Sequence, residues 1–238
     1  MAIDMNPLSL SIPKEEITSN RRAIKTEFIT SSSFLDKNTI TIRPDHVASL
    51  FFEYDNVFFD KKLSARLLNR ISFACSTRMT KTGGKVTRKN REGTYILTVS
   101  EPLICKSIFS KQDGVLVNGL KCHDSVDAMM GIIEHEMIHI IEFEYFGKSS
   151  CGKKRFKTLA HNIFGHTDTK HNLRLKPMDG NPIEKVTIGT QVRFEHNNIP
   201  YSGVVSRVTK RATVVLDTSC NKKYKKMYVP ISFLALKT

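Results

Sequence analysis

Apolar residues recur at helical spacing over residues 44–59, where Val47, Leu50, Phe51, Tyr54 and Phe58 share a face. This predicts a helix with Asp45 as its N-cap. Over Leu67–Cys75 and Thr94–Val99 the period shortens to two. Ile71 and Phe73, then Tyr95, Leu97 and Val99, alternate with their neighbours and predict strands. The link between them, Lys81-Thr-Gly-Gly-Lys and Arg88–Gly93, is basic and glycine-bearing, as hairpin connections are. A long helix is predicted from about Ser125 to Tyr145, capped by Asp124 or Ser125 and stopped by Gly147. Its apolar residues cover most of its circumference, so it must be buried. A second helix over Arg155–Phe164 gathers Phe156, Leu159, Ile163 and Phe164 on one face.

The two ends of the chain are patterned differently. Residues 1–43 predict a weakly ordered leader, with a short helix around Lys14–Lys25 and a strand-like stretch at Thr39–Ile42. Pro177, Asp179-Gly180 and Pro182 mark a linker over 176–184. Short alternating runs then follow at Val186–Ile188, Thr190–Phe194, Gly203–Val208, Thr213–Leu216, Tyr224–Val229 and Ile231–Leu234. They predict a small all-β, SH3-like barrel over 185–238. Between leader and linker, residues 44–175 form an α+β domain.

Composition narrows the function. The chain of 238 residues is 40% hydrophobic and 25% charged, which excludes wholesale disorder. No apolar run reaches the roughly 18 residues that a membrane span needs, so no membrane partner is expected. The N-terminus shows no basic segment followed by an apolar one, so secretion is not expected. Five scattered cysteines, Cys75, Cys105, Cys122, Cys151 and Cys220, fit neither a disulfide framework nor a zinc ribbon. They point to a reducing intracellular compartment, cytoplasm or nucleus/nucleoid.

The formal net charge is +14, and residues 147–238 hold eighteen Lys/Arg against five Asp/Glu. An excess confined to one segment points to a polyanionic partner, DNA first, with a solubilising lysine-rich surface as the alternative. The candidate contacts are Lys210, Arg211, Lys222, Lys223, Lys225 and Lys226, where cations interleave with apolar and aromatic residues. They suit phosphate contact rather than base reading. Tyr224 is either core or a base-stacking platform, and one of Tyr224 and Tyr228 is expected in the core.

The chemistry centres on His135-Glu136-Met137-Ile138-His139 in the long helix. Residues four apart share a helical face, so both imidazoles can reach one Zn²⁺ at about 2.0–2.1 Å. Glu136 lies about 100° round the helix. It is too far to be a third ligand, but near enough to hydrogen-bond a water on the metal and act as general base. The alternative is a pair of core histidines bonded to carbonyls. A third ligand is sought downstream among Cys151, His161, His166 and His171. Cys151 sits in a loop flanked by Gly147 and Gly152 that can fold back over the site.

These residues carry a resemblance. Phe52-Glu-Tyr-Asp-Asn-Val-Phe-Phe-Asp, Ser76-Thr-Arg-Met-Thr-Lys-Thr-Gly-Gly-Lys, Ile96-Leu-Thr-Val-Ser-Glu-Pro-Leu, Ile133-Glu-His-Glu-Met-Ile-His and Phe156–Leu173 occur in this order. The stretch from Phe52 to Leu173 resembles the SprT-like family of zinc metalloproteases, and its Phe-Gly-His-Thr-Asp-x-x-His-x-Leu tail is similar to that of bacterial and viral members. The resemblance implies a zincin-like fold, zinc on His135 and His139, and Glu136 as the catalytic carboxylate. It also implies peptide-bond hydrolysis in proteins bound or crosslinked to DNA, as in DNA–protein crosslink repair. Family members place a third histidine in a His-Gly-x-x-Phe segment. Here the chain reads Ser150-Cys151-Gly152-Lys153-Lys154-Arg155-Phe156, one residue longer, and Cys151 becomes the preferred third ligand. The competing readings are a nucleic-acid-binding adaptor with a degenerate or structural zinc site, and a zinc hydrolase of another substrate.

Overall fold

The computed structural model describes residues 6–31, 35–36, 39–40, 42–89, 93–105, 107, 114–173, 186–196, 199–209, 211–217 and 224–237, and so the predicted leader only in part. The leader contains an 18-residue helix, α1 (Lys14–Ser31), longer than the short helix predicted. Ile17, Ile24 and Phe28 form a single buried stripe on it. That stripe is too sparse to stand out as a pattern, because polar contacts do much of the fastening. Arg21 grips Glu134 with two donors at 2.6 Å, and Lys25 bridges Asp124 and Asp127, also at 2.6 Å.

A two-residue ladder, β1 (Leu35–Asp36) with β2 (Thr39–Ile40), leads to α2 (Pro44–Phe59). Proline sits at the first helical position, where its missing N–H costs nothing. The N-cap is therefore Arg43 and not Asp45. The next helix, α3 (Lys62–Leu67), occupies the start of the stretch predicted as strand. Leu68 and Asn69 end it at φ 47° and 63°, so the strand begins only at Ile71.

Three strands then form one sheet of order β3-β5-β4: β3 (Ile71–Ser76), β4 (Gly84–Lys89) and β5 (Thr94–Ser100). The two strands expected from the sequence run parallel, and the link between them is itself the antiparallel edge strand. Only Val86 is apolar on β4, and Lys85, Thr87, Arg88 and Lys89 are exposed. An edge strand solvated in this way leaves no alternation to read. After α4 (Glu101–Cys105) comes a hairpin, β6 (Val115–Val117) and β7 (Leu120–Cys122). Its turn is Asn118-Gly119, with φ 54° and 78°, the left-handed pair that a two-residue hairpin demands.

The hairpin feeds α5 (Ser125–Phe146), which matches the predicted long helix. The Asp124 carboxylate caps it by accepting from Asp127 N–H, and Gly147 closes it at φ 72°. Buried residues ring its whole circumference, polar Glu134, Glu136 and Glu142 among them. After α5 the chain turns back into α6 (Lys154–Phe164). Together α1, α2, α5, α6 and the first sheet enclose one core.

Glu134, with no exposed surface, gathers four elements. It accepts from Arg21, from Tyr54 Oη–H at 2.7 Å and from His166 Nε2–H at 2.7 Å. Burial by itself raises this carboxyl; Arg21 and His166 outweigh it and hold it down to about 2. Removing the cation while leaving a buried carboxylate costs about 3–5 kcal/mol. Urea unfolding of Arg21→Ala should therefore show an unchanged slope and a midpoint lowered by that free energy divided by the slope. Because the folded pKa lies below the ordinary 4.5, the contribution is complete above that pH and fades as pH falls toward about 2. The gap between variant and parent should narrow over the same window.

The chain divides into two compact units, Met1–Leu175 and Lys176–Thr238. The predicted linker, 176–184, lies outside the described residues. The second unit is an antiparallel sheet of order β11-β10-β9-β8-β12, made of β8 (Gln191–His196), β9 (Ile199–Val208), β10 (Ala212–Leu216), β11 (Lys226–Val229) and β12 (Ala235–Leu236). Among the described residues its edge strands do not pair with each other, so the sheet is not a closed barrel. Val186–Ile188 forms no strand, and Ile231–Phe233 is a 3-10 turn. Neither Tyr224 nor Tyr228 is in the core, since they are 45% and 73% exposed. Strand parity decides this for Tyr228: Val229 points inward, so its neighbour points out. Tyr201 fills the aromatic core position instead, stacked on Phe194 at 5.5 Å. No helix among the described residues is long and apolar enough to cross a membrane.

Candidate metal centre

A cleft of about 500 Å³ opens between α5, the β4 edge strand, the Asn118 turn and the loop after α5. His135 and His139 stand one turn apart on α5 with ring centroids 5.0 Å apart, and Phe156 packs against both. One nitrogen of each imidazole and Cys151 Sγ all lie within 4.8 Å of one another, so the three can share a metal ion.

The polar contacts behind the rings fix which nitrogen faces the ion. Asn118 Nδ2 donates to the Gly131 carbonyl at 2.6 Å, which leaves its Oδ1 to accept from His135 Nδ1–H at 3.1 Å. Ser149 Oγ–H donates to Glu142 at 2.7 Å, so it accepts from His139 Nδ1–H at 2.6 Å. Both imidazoles therefore keep a lone pair on Nε2, the arrangement that outer hydrogen bonds impose on ligating histidines. Burial pushes the His135 imidazolium down to about 3, with His139 adding to the effect, and burial also lowers His139. Burial thus favours the neutral form of both rings, the form that a metal binds.

Glu142 explains why the loop folds back. Its buried carboxylate accepts from Ser149, from Ser150 N–H at 3.0 Å and from Arg155 Nε–H at 2.7 Å. These bonds pin residues 149–155 against α5 and bring Cys151 over the two rings. None of them leaves a mark in the sequence pattern.

Glu136 lines the same cleft and is 4% exposed. Its Oε2 has no hydrogen-bond partner, and burial lifts the carboxyl to about 8. A cation beside it would favour the charged form and draw that value down. The strand passes close: a Cβ on Gly84 would lie 2.6 Å from Ile132 and 2.9 Å from Glu136 Oε1. Only glycine lets β4 approach α5 so closely.

The other candidate third ligands do not join this group. His161 is exposed on α6, and His166 is buried against Glu134. His171 lines the cleft, but its Nε2 accepts from Gly83 N–H at 3.0 Å and it is not in the metal group. Among the basic candidates, Arg211, Lys225 and Lys226 are exposed in the second unit, while Lys210, Lys222 and Lys223 lie outside the described residues. Asn118, Ser149 and Glu142 are functional residues that the sequence did not point to. Only Asn118 had a signal, the Asn-Gly turn.

No curated protein and no solved structure matches the chain. The sequence model of the SprT-like family matches residues 47–176, more than half of the chain. The match takes in the helix with both imidazoles, Glu136, and the loop that carries Cys151, and by it the chain belongs to the SprT-like family.

Proposed function

We propose that the chain is a zinc-dependent endopeptidase with a zincin-like catalytic domain, acting on proteins bound or crosslinked to DNA. The observation that carries the reading is Glu136: a buried carboxylate with one oxygen unpartnered, beside two imidazoles and a thiol gathered at one point. Two nitrogens and a sulfur suit zinc. His135, His139 and Cys151 would hold the zinc, which would supply a Lewis acid able to polarise water and the peptide carbonyl. Glu136 takes the proton of the attacking water and returns it to the leaving amine. Beside the cleft, β4 pairs only with β5 among the described residues. Its open edge offers backbone donors and acceptors to an extended peptide.

An adaptor with a structural zinc needs a closed, four-ligand site, and one with a degenerate site would bind no zinc firmly. Among the described residues no fourth His, Cys, Asp or Glu joins the group. That favours an open position and a catalytic role. The basic excess of residues 147–238 supports DNA as the partner that brings substrate close. The strand order and the 3-10 turn before β12 support an SH3-like second unit. Cys75, Cys122 and Cys151 form no disulfide among the described residues, in keeping with a reducing intracellular compartment.

The test is cleavage by the zinc-loaded full chain of a protein covalently joined to an oligonucleotide, beside the same protein free. Fragments are expected chiefly from the conjugate and are abolished by a chelator. Equal cleavage of both would remove DNA from the account, and cleavage of neither would remove the peptidase.

A further inference from the structure

The outward face of the second unit's sheet carries an unusual set of side chains. Directly paired residues share a face. The register sets Lys226, Val215, Val204 and Gln191 in one row across β11, β10, β9 and β8. Past a bulge at Ser206 in β9, Tyr228, Thr213 and Arg207 pair as the next row, and all of them are at least partly exposed. Tyr228 is 73% exposed, Val215 38% and Val204 37%, although the opposite face already holds the unit's core. Lys226 and Arg207 enter no ion pair among the described residues, and neither row contains a carboxylate. Four strands at about 4.8 Å spacing make this platform roughly 14 Å wide.

Cations alone would fit any polyanion. The exposed ring and the two valines need a ligand with accessible apolar faces as well. A duplex hides its bases and presents phosphates to such a flat surface, whereas a single strand can splay its bases onto aromatic side chains. We propose that this face binds single-stranded nucleic acid, with a base stacked on Tyr228 and phosphates held by Lys226 and Arg207. The proposal rests on the reading that the basic C-terminal half engages nucleic acid, and it specifies the face and the strandedness.

Fluorescence anisotropy of the full chain tests it, using a labelled oligothymidylate of about 15 nucleotides, within the site sizes of such platforms, and a mixed-sequence duplex of equal length, through a salt series. The single strand should bind more tightly than the duplex. Tyr228→Ala should weaken single-strand binding about 5- to 150-fold, the worth of one stacked base, at unchanged salt slope, and Tyr228→Phe should restore it. The double variant Lys226→Ala, Arg207→Ala should flatten the slope by about 1.4, the share of two phosphates on a single strand. Wild-type affinity in Tyr228→Ala overturns the face but leaves the nucleic-acid reading standing. A preference for duplex overturns the strandedness. No binding to either probe at low salt overturns this proposal and the nucleic-acid reading together.

Discussion

Glu136→Gln should lower proteolysis by about 10²–10⁴-fold, the usual worth of a positioned general base, with zinc content unchanged. The amide keeps the shape of the carboxylate, so it fits the narrow space left by Gly84 and Ile132. Burial already disfavours the charged form of this carboxyl, so exchanging it for a neutral amide of the same shape should leave the fold about as stable as the parent. Neither His135 nor His139 hydrogen-bonds to Glu136; their outer partners are Asn118 and Ser149. Metal binding and catalysis are therefore separable at this position. The loss should fall on kcat, because the proton transfer occurs only along the reaction path. Cleavage at parental rate by a zinc-replete Glu136→Gln protein would remove Glu136 from the mechanism.

Cys151→Ala should have the converse signature: zinc affinity falls first, and activity follows it. Loss of an outer-shell partner alone costs about 10–100-fold in affinity, and loss of a direct ligand should exceed the upper end of that range. The loop itself should stay in place, because Glu142 holds Ser149, Ser150 and Arg155 whether or not the thiol is present. Competition against a chromogenic chelator reads the affinity, and excess zinc should recover part of the activity. Unchanged zinc affinity would mean that a residue other than Cys151 completes the site, and His171, across the same cleft, would be the first to examine.

The residues that the sequence exposed and those it hid differ in what holds them. The α5 helix was legible because a long apolar run, an Asp124 cap and a Gly147 stop agree, and two histidines at a spacing of four interrupt that run. The α2 helix was legible for its five-residue apolar face, though not for its cap, since Pro44 dictates where a helix can begin. The α1 helix was underestimated because Arg21 and Lys25 fasten it through partners about a hundred residues away. The β4 strand reads as a connection in the sequence because one apolar residue cannot signal alternation. In the metal centre the spacing on one helix revealed His135, Glu136 and His139. Their supports, Asn118 from a hairpin turn and Ser149 and Glu142 around a loop, depend on tertiary contacts that no local period encodes.

The claim beneath all of this is that one zinc ion is held by two imidazoles and a thiolate. Zinc K-edge X-ray absorption on the purified full chain measures it directly. The expected spectrum has one sulfur at about 2.3 Å and light scatterers at about 2.0–2.1 Å, two of them with imidazole signatures, and the sulfur shell disappears in Cys151→Ala. A shell of nitrogen and oxygen alone in the parent, or a protein that takes up no zinc, would contradict it.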